Sequence, residues 1–271
     1  QQLLDQRRAA WSDVARRIAH EIKNPLTPIQ LAAERLQRRF GEKVEGDAAT
    51  FRKLTDTIVR QVHDMRRMVD EFSSFARMPK PTFGAEDVRD ILRQAVFLFE
   101  VAKPDIIFSV KTPNEIEPLV CDRRLLSQAL TNIVKNAVEA IEENTKKSDG
   151  PVSGHIRAEL DIGPQDAVVI RVTDDGIGLP EARDAIAEPY MTTRQGGTGL
   201  GLAIVKKIVE QHYGELEFSD NPEGRGTQVT LTLHADRLRP LAGKGGGIPT
   251  GQIESVPGRI RNRQDREEYG A

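Results

Sequence analysis

WSDVARRIAHEIKNPLTPIQLAAERLQRRF, residues 11–40, carries apolar side chains at Trp11, Ala15, Ile18, Ile22, Leu26, Ile29, Ala33, Leu36 and Phe40. The steps alternate between three and four residues, which draws one apolar stripe along one helix. Gly41 to Asp47 (GEKVEGD) is a polar break with two glycines. A second stripe follows at Phe51, Leu54, Ile58, Val62, Met65, Val69, Phe72 and Phe75. Two long helices joined by a short turn make a hairpin. One hairpin cannot cover both stripes, whereas two copies packed together can. Residues 1–77 are therefore expected to form a homodimeric four-helix bundle, two helices per chain. Met65 and Met68 read as filler of a core or interface. Arg66 and Arg67 fall off the stripe, where a solvated face accounts for them.

Within the first helix lies His20-Glu21-Ile22-Lys23-Asn24-Pro25-Leu26. A single helical histidine is usually a plain surface residue. Here Glu21 follows at once, a carboxylate able to orient the imidazole or take its proton. Asn24 stands four residues on, one turn away on the same face. Pro25 removes a backbone N–H and leaves the carbonyl of Glu21 without its helical donor, so the helix is expected to kink or loosen there.

A length of 271 residues suggests about two domains. Charged residues at 30% against 38% hydrophobic indicate much exposed helix. The net charge of −2 carries no nucleic-acid or membrane signature, and no basic patch has interleaved aromatics. Cys121, the one cysteine, excludes an intrachain disulfide framework and fits a reducing compartment. No apolar run approaches a membrane span, and no signal peptide heads the sequence. Beginning at Gln1, it reads as a cytoplasmic fragment or a processed chain.

Met78-Pro79-Lys80-Pro81-Thr82-Phe83-Gly84 stops the second helix and stiffens the exit, making residues 78–86 a linker. Asp87 to Val101 then reads as a helix, Asp105 to Lys111 as a strand and Leu119 to Cys121 as a second, short strand. Asp122 is a good N-cap for a helix running to about Asn144. Ile156 to Ile162 and Val168 to Thr173 read as paired strands, Leu200 to Gln211 as a helix. Glu215 to Ser219 and Thr227 to Leu233 form a closing hairpin. Residues 87–236 thus read as an α+β sandwich of mostly antiparallel strands. Residues 237–271, Gly-rich and of mixed charge from Leu241 onward, lack the means to build a core and are expected to be a disordered tail.

Four places in the second domain could carry chemistry. Asn132 and Asn136 face the same way on the Asp122 helix, with Lys135 adjacent; an ordinary polar face would look the same. Asp174-Asp175-Gly176-Ile177-Gly178 follows a strand directly and leaves room for a flat ligand against the backbone, although a strand-end turn would suit the same residues. Gly196-Gly197-Thr198-Gly199-Leu200-Gly201-Leu202 precedes a helix, where backbone N–H groups can approach phosphates. It matches neither a P-loop nor a dinucleotide fingerprint. Gly224-Arg225-Gly226-Thr227 is a tight turn, equally readable as a plain hairpin loop.

Taken together and in this order, these pieces resemble the sensor histidine kinases of two-component signalling. His20–Pro25 looks like the phosphoacceptor H box and Asn132–Ala140 like the N box. Asp174–Gly178 and Gly197–Leu202 look like the two glycine boxes, Pro189-Tyr190-Met191-Thr192-Thr193-Arg194 like the F box, and Gly224–Thr227 like the last glycine motif. The match runs from about Ala9 to His234. HEIKNPLTPIQLAAERL followed by EFSSFARMPKP is more similar to the NtrY branch, the nitrogen-responsive membrane sensors, than to the soluble NtrB branch.

The resemblance implies an ATP-dependent protein-histidine autokinase. Its second domain would be a Bergerat-type α/β sandwich shared with gyrase, a heat-shock chaperone and MutL. ATP would bind there, with Asp174 taking the adenine amino hydrogen and Asn136 holding Mg²⁺ against the phosphates. Asn132, Lys135, Gly176, Gly178, Thr192, Thr193, Arg194, Gly197, Thr198, Gly199, Leu200, Gly201 and Thr227 would line the site. Residues from about Gly178 to Gly199 would be a lid. His20 would attack the γ-phosphorus with Glu21 as base or orienting partner, and the phosphoryl group would pass to an aspartate of a response-regulator receiver domain. Asn24 would orient water for dephosphorylating that regulator. A missing N-terminal sensor portion would anchor the parent protein in the inner membrane. Glu139 stands where many members carry Lys, Met191 where a second aromatic is usual and Arg194 where Lys is common. A GHKL-type ATPase without histidine phosphotransfer would share the second domain but need no His-Glu-x-x-Asn-Pro hairpin. A non-catalytic dimeric scaffold would keep the hairpin and lose the nucleotide residues.

Overall fold

The computed structural model describes residues 2–44, 46–148, 151, 153–179 and 200–243. Helix α1 spans Gln2–Phe40 and α2 spans Ala48–Ala76. They run antiparallel, pinned by Lys23 to Asp70, Arg66 to Thr27 (3.1 Å) and Gln37 to Asp56 (2.5 Å). Helix α1 continues through Pro25 and Pro28, so the kink or loosening expected at Pro25 does not end it. Glu21 and Asn24, whose carbonyls lose their helical donors to the two prolines, are both exposed, so water can satisfy them. Leu26, between the prolines, is buried and holds the segment against the hairpin.

The apolar stripes divide. Ala15, Ala19, Leu26 and Ala33 of α1 and Thr55, Val62, Val69 and Ser73 of α2 are buried, so mostly small side chains fill the seam within one chain. The larger ones stay out: Ile18, Ile22, Ile29, Leu36 and Phe40 on α1, and Leu54, Ile58, Met65 and Met68 on α2, are each at least 36% exposed.

The second domain is a five-stranded sheet in the order β2-β4-β5-β7-β6, formed by Ile106–Lys111 (β2), Gly154–Ile162 (β4), Ala167–Asp174 (β5), Glu215–Asp220 (β6) and Thr227–His234 (β7). Only β2 and β4 pair in parallel; the other neighbours are antiparallel. Helices α3 (Val88–Ala102), α4 (Arg123–Ser148) and α5 (Gly201–Gln211) pack side by side against it. Alternation decides the faces: Ile156, Ala158 and Leu160 of β4 meet Ile170 and Val172 of β5 in the core, while His155 and Asp161 point to water. Leu126, Leu130, Ile133 and Ile141 line the inner side of α4. Burial of each such side chain contributes about 1.5–3 kcal/mol.

The linker holds a strand the sequence does not announce. Gly84–Glu86 (β1) pairs antiparallel with Leu119–Cys121 (β3). Residues 237–243 differ from the expected tail too. Ala235–Leu238 (α6) leads into a 3₁₀ turn at Arg239–Leu241, Leu238 is fully buried, and Gly243 N–H donates to the Phe83 carbonyl at 3.2 Å. The remaining tail residues, 244–271, lie outside the described residues.

Asp122 and His212 tie these pieces together. Asp122 Oδ1 caps α4 by accepting from Arg124 and Leu125 N–H at 2.9 and 3.1 Å, and its Oδ2 accepts from the linker N–H of Thr82 at 2.7 Å. Buried His212, past the end of α5, accepts the Asp122 N–H on Nε2 at 3.0 Å and bonds the Ile208 carbonyl through Nδ1 at 2.8 Å. The Phe83 ring meets it edge-on at 5.4 Å. Desolvation lowers the His212 pKa, so the folded chain holds it neutral. Below the ordinary value of 6.5 the unfolded chain takes up a proton that the folded chain refuses, so stability falls as pH drops through that value. We expect urea-measured stability to decline from pH 7.5 to 5.5, and His212→Gln, less stable at pH 7.5, to decline with a shallower slope. Equal slopes would remove His212 from the titration.

Candidate functional site

Strand β5 ends at a tightly packed turn. Its ladder with β7 stops at Thr173↔Gln228, while Asp174 still pairs with Ile156 of β4. Asp174 is only 4% exposed and accepts the Gly176 N–H on Oδ1 at 2.9 Å. From one side α4 closes on the turn. A Cβ on Gly176 would lie 2.6–2.8 Å from atoms of Ala140, and Ile177 N–H donates to the Ala140 carbonyl at 3.2 Å. From the other side comes the β6–β7 loop. Gly226 has φ of +122°, and a Cβ there would sit 1.9 Å from the Asp174 carbonyl oxygen. Thr227 beside it is buried, and Gly178, with φ of +87°, lies near the Gly226 carbonyl.

One row of α4 connects this turn to the start of α5. Asn132, Asn136 and Ala140 follow one another at four-residue steps. Asn132 Nδ2 donates to the Gly201 carbonyl at 3.4 Å, where buried Leu200 leads into α5. Ala140 abuts the Asp174 turn. Asn136 lies between, and its buried Nδ2 has no hydrogen-bond partner among the described residues. A buried amide left unsatisfied costs about 1–3 kcal/mol, which a polar ligand would recover. Lys135 turns away: its ammonium lies 3.6 Å from Glu71 of α2 and 3.9 Å from Glu139, so this position pairs with carboxylates here.

The structure therefore gathers Asn132, Asn136, Asp174, Gly176, Gly178, Leu200, Gly201 and Thr227 along one row in the middle of α4. Thr192, Thr193, Arg194, Gly197, Thr198 and Gly199 lie outside the described residues, as do the rest of the F box and most of the lid. His20, Glu21 and Asn24 are exposed on the hairpin instead. Their neighbourhood is bound to α2 by the Lys23–Asp70 and Thr27–Arg66 links. Arg66, taken from sequence for a solvated residue, is half-buried and bonded across the hairpin. Asn221 was also missed, although an Asn-Pro pair in a glycine-rich loop marks a structured turn. Cys121 takes no part: burial pushes its thiol up to about 12.

Two family models match. His Kinase A (phospho-acceptor) domain covers residues 10–81, and Histidine kinase-, DNA gyrase B-, and HSP90-like ATPase covers residues 121–237. The chain belongs to the sensor histidine kinases. It is similar to nitrogen regulation protein NtrY of Azorhizobium caulinodans, at 56% identity over 85% of this chain and 30% of that protein. A putative sensor histidine kinase NtrY-like of Rickettsia conorii is 37% identical over 87% of this chain and 38% of its own length. The chain thus spans about a third of the length of these relatives. Among solved structures, full-length ShkA in complex with AMPPNP shares the fold at a TM-score of 0.61 and 23% identity, over 84% of this chain and 48% of that one. ThkA in complex with the response regulator protein TrrA aligns at a TM-score of 0.59 and 25% identity, over 86% of this chain and 64% of that one. For a histidine kinase, an α1–α2 hairpin followed by an α/β sheet domain is the architecture these neighbours share.

Two glycines make contrasting predictions. Gly226→Ala should cost at least about 2 kcal/mol in urea denaturation, through positive-φ strain and overlap with the Asp174 carbonyl. Gly201→Ala, whose Cβ would meet nothing within 4 Å among the described residues, should stay within about 0.5 kcal/mol of the parent.

Proposed function

We propose that this histidine kinase transfers the γ-phosphoryl group of ATP to its own His20, and from there to an aspartate of a response-regulator receiver domain. The observation that carries the reading is the buried Asn136 Nδ2, without a hydrogen-bond partner among the described residues and set between the Asp174 turn and the start of α5, in a chain whose hairpin exposes His20, Glu21 and Asn24. On this reading residues 1–77 are the dimerisation and phosphotransfer unit and 87–236, extended by the buried Leu238, the ATP-binding unit.

The residues fit the nucleotide. Asp174 is a buried acceptor for the adenine amino group, and the packed glycines bring backbone close enough to flank a flat base. Among the described residues no group of three or more His, Cys, Asp or Glu side chains is arranged to hold a metal. Mg²⁺ would therefore depend on the Asn136 amide oxygen and on phosphate oxygens, which suits an ion that keeps few protein ligands. When bound, it would neutralise phosphate charge. Catalysis by the chain itself is then mostly positioning. An imidazole nitrogen of His20 attacks the γ-phosphorus, the bond to the β–γ bridging oxygen breaks, and ADP leaves. The imidazolium proton passes to Glu21. The hairpin already touches α4 beside Asn136, where Glu71 meets Lys135.

Dimerisation follows from the exposed Ile18, Ile22, Ile29, Leu54, Ile58 and Met65, which one chain leaves in water and a second copy would cover. The likeness to a kinase solved with its response regulator supports the second transfer, and the likeness to NtrY supports a role in nitrogen regulation. A membrane-anchored sensor would belong to the length of those relatives that this chain does not span. Among the described residues no helix is long and apolar enough to cross a membrane. Asn24, exposed one turn from His20, would orient water to dephosphorylate the regulator.

Incubation with Mg²⁺ and γ-labelled ATP should leave acid-labile, base-stable label on the chain and none on His20→Gln. ATP consumed equally by both, with no label on either, would make this a plain ATPase. Asn24→Ala should take label normally yet dephosphorylate a phosphorylated regulator at least about tenfold more slowly, the loss expected when one hydrogen bond that orients the attacking water is removed. An unchanged rate would remove the phosphatase role.

A further inference from the structure

Asn221 is the hub of the β6–β7 loop. Its backbone N–H donates to the Gly226 carbonyl at 3.1 Å, and its own carbonyl accepts from Gly224 N–H at 3.3 Å. Its side-chain Oδ1 accepts the Glu223 N–H at 3.0 Å, and Nδ2 donates to the Arg225 carbonyl at 3.1 Å. All four bonds stay inside the loop. The fifth leaves it: Nδ2 also donates to the carbonyl oxygen of Asp174, 47 residues away, at 3.1 Å.

That bond falls where the sheet gives out. The β5–β7 ladder ends at Thr173↔Gln228, so the Asp174 carbonyl has passed beyond the last paired residue. Asn221 takes it, and Gly226 closes against the same oxygen from the loop. On the side away from β4, the peptide that carries the Asp174 side chain thus meets one directed bond from Asn221 and one steric stop at Gly226.

We propose that Asn221 is a positioning residue for nucleotide-base recognition: by holding the Asp174 carbonyl it aims the Asp174 carboxylate at the exocyclic amino group of a purine. The inference rests on the reading of Asp174 as the base acceptor. It deepens that reading by assigning the selectivity for a 6-aminopurine to a loop residue that touches no part of the nucleotide. A loop that only connected two strands would have no bearing on which purine is preferred.

Asn221→Asp tests this with the least change of shape. The carboxylate still accepts from Glu223 N–H, but it cannot donate to the Asp174 carbonyl. Asn221→Ser, whose shorter side chain can cap Glu223 without reaching Asp174, stands in if Asn221→Asp does not fold. Calorimetric titration with ATP and with purine riboside triphosphate, which lacks the 6-amino group, gives a preference ratio for each protein. We expect the parent chain to favour ATP roughly tenfold, the size of one well-aimed hydrogen bond. The variants should lose most of that ratio while still binding the purine riboside nucleotide and melting within a few degrees of the parent. A variant that keeps the parent ratio, even with both affinities reduced, makes Asn221 a brace of its own loop and overturns the proposal. A parent chain that binds both nucleotides equally instead overturns the reading of Asp174 beneath it.

Discussion

The Asp174 carbonyl and Gly226 leave no space between them for even one methyl group, and this contact organises the whole α/β domain. Strand β5 is central, paired with β4 on one side and β7 on the other, so its end cannot drift without unpicking both ladders. The same turn is closed from beneath by Gly176 against Ala140 of α4. Sheet, helix and hairpin loop therefore converge on one peptide. A carboxylate buried on such a peptide is held in place before any ligand arrives, which lowers the ordering cost of binding.

The hairpin is built on the opposite logic. Small side chains fill its internal seam, and the bulky ones are left on the surface. His20 belongs to this open unit, exposed one turn from Asn24, on a helix that two prolines fail to end. On the proposed reading the histidine would need access to two different phosphate chemistries, a nucleotide and then a regulator, and a rigid buried setting would serve neither. Contacts between the two units include Lys135 with Glu71, the Lys207 ammonium over the Phe75 ring at 4.9 Å and against the Phe75 carbonyl, and Phe75 and Met78 packed on the edge of the domain core.

Much of this was legible in the residues. Period-3.5 stripes announced α1 and α2, Asp87 and Asp122 announced the starts of α3 and α4, and alternation announced β4 to β7. The strands of three residues were harder: β3 was visible through Leu119 and Cys121, whereas β1 was hidden because Gly-Ala-Glu has no pattern to read and is a strand only through its partner. The prolines of α1 do not end the helix, since helix-breaking is a local cost that tertiary packing around Leu26 outweighs. In the site, motif residues such as Asn136 and Asp174 were recognisable by type and order. Asn221 was not, because its importance lies in a bond to a carbonyl 47 residues away. Lys135 was expected to line the site by adjacency to Asn136, yet its reach toward Glu71 depends on the packing of the two units.

The division of labour between a nucleotide-holding turn and a separate nucleophile is tested most directly by calorimetric titration of ATP into three proteins: the parent chain, Asp174→Asn and His20→Gln. If the turn holds the base and the hairpin only receives the phosphoryl group, His20→Gln binds ATP as the parent does and Asp174→Asn binds at least about tenfold more weakly. Undiminished binding by Asp174→Asn, or equal weakening of both variants, would contradict the account.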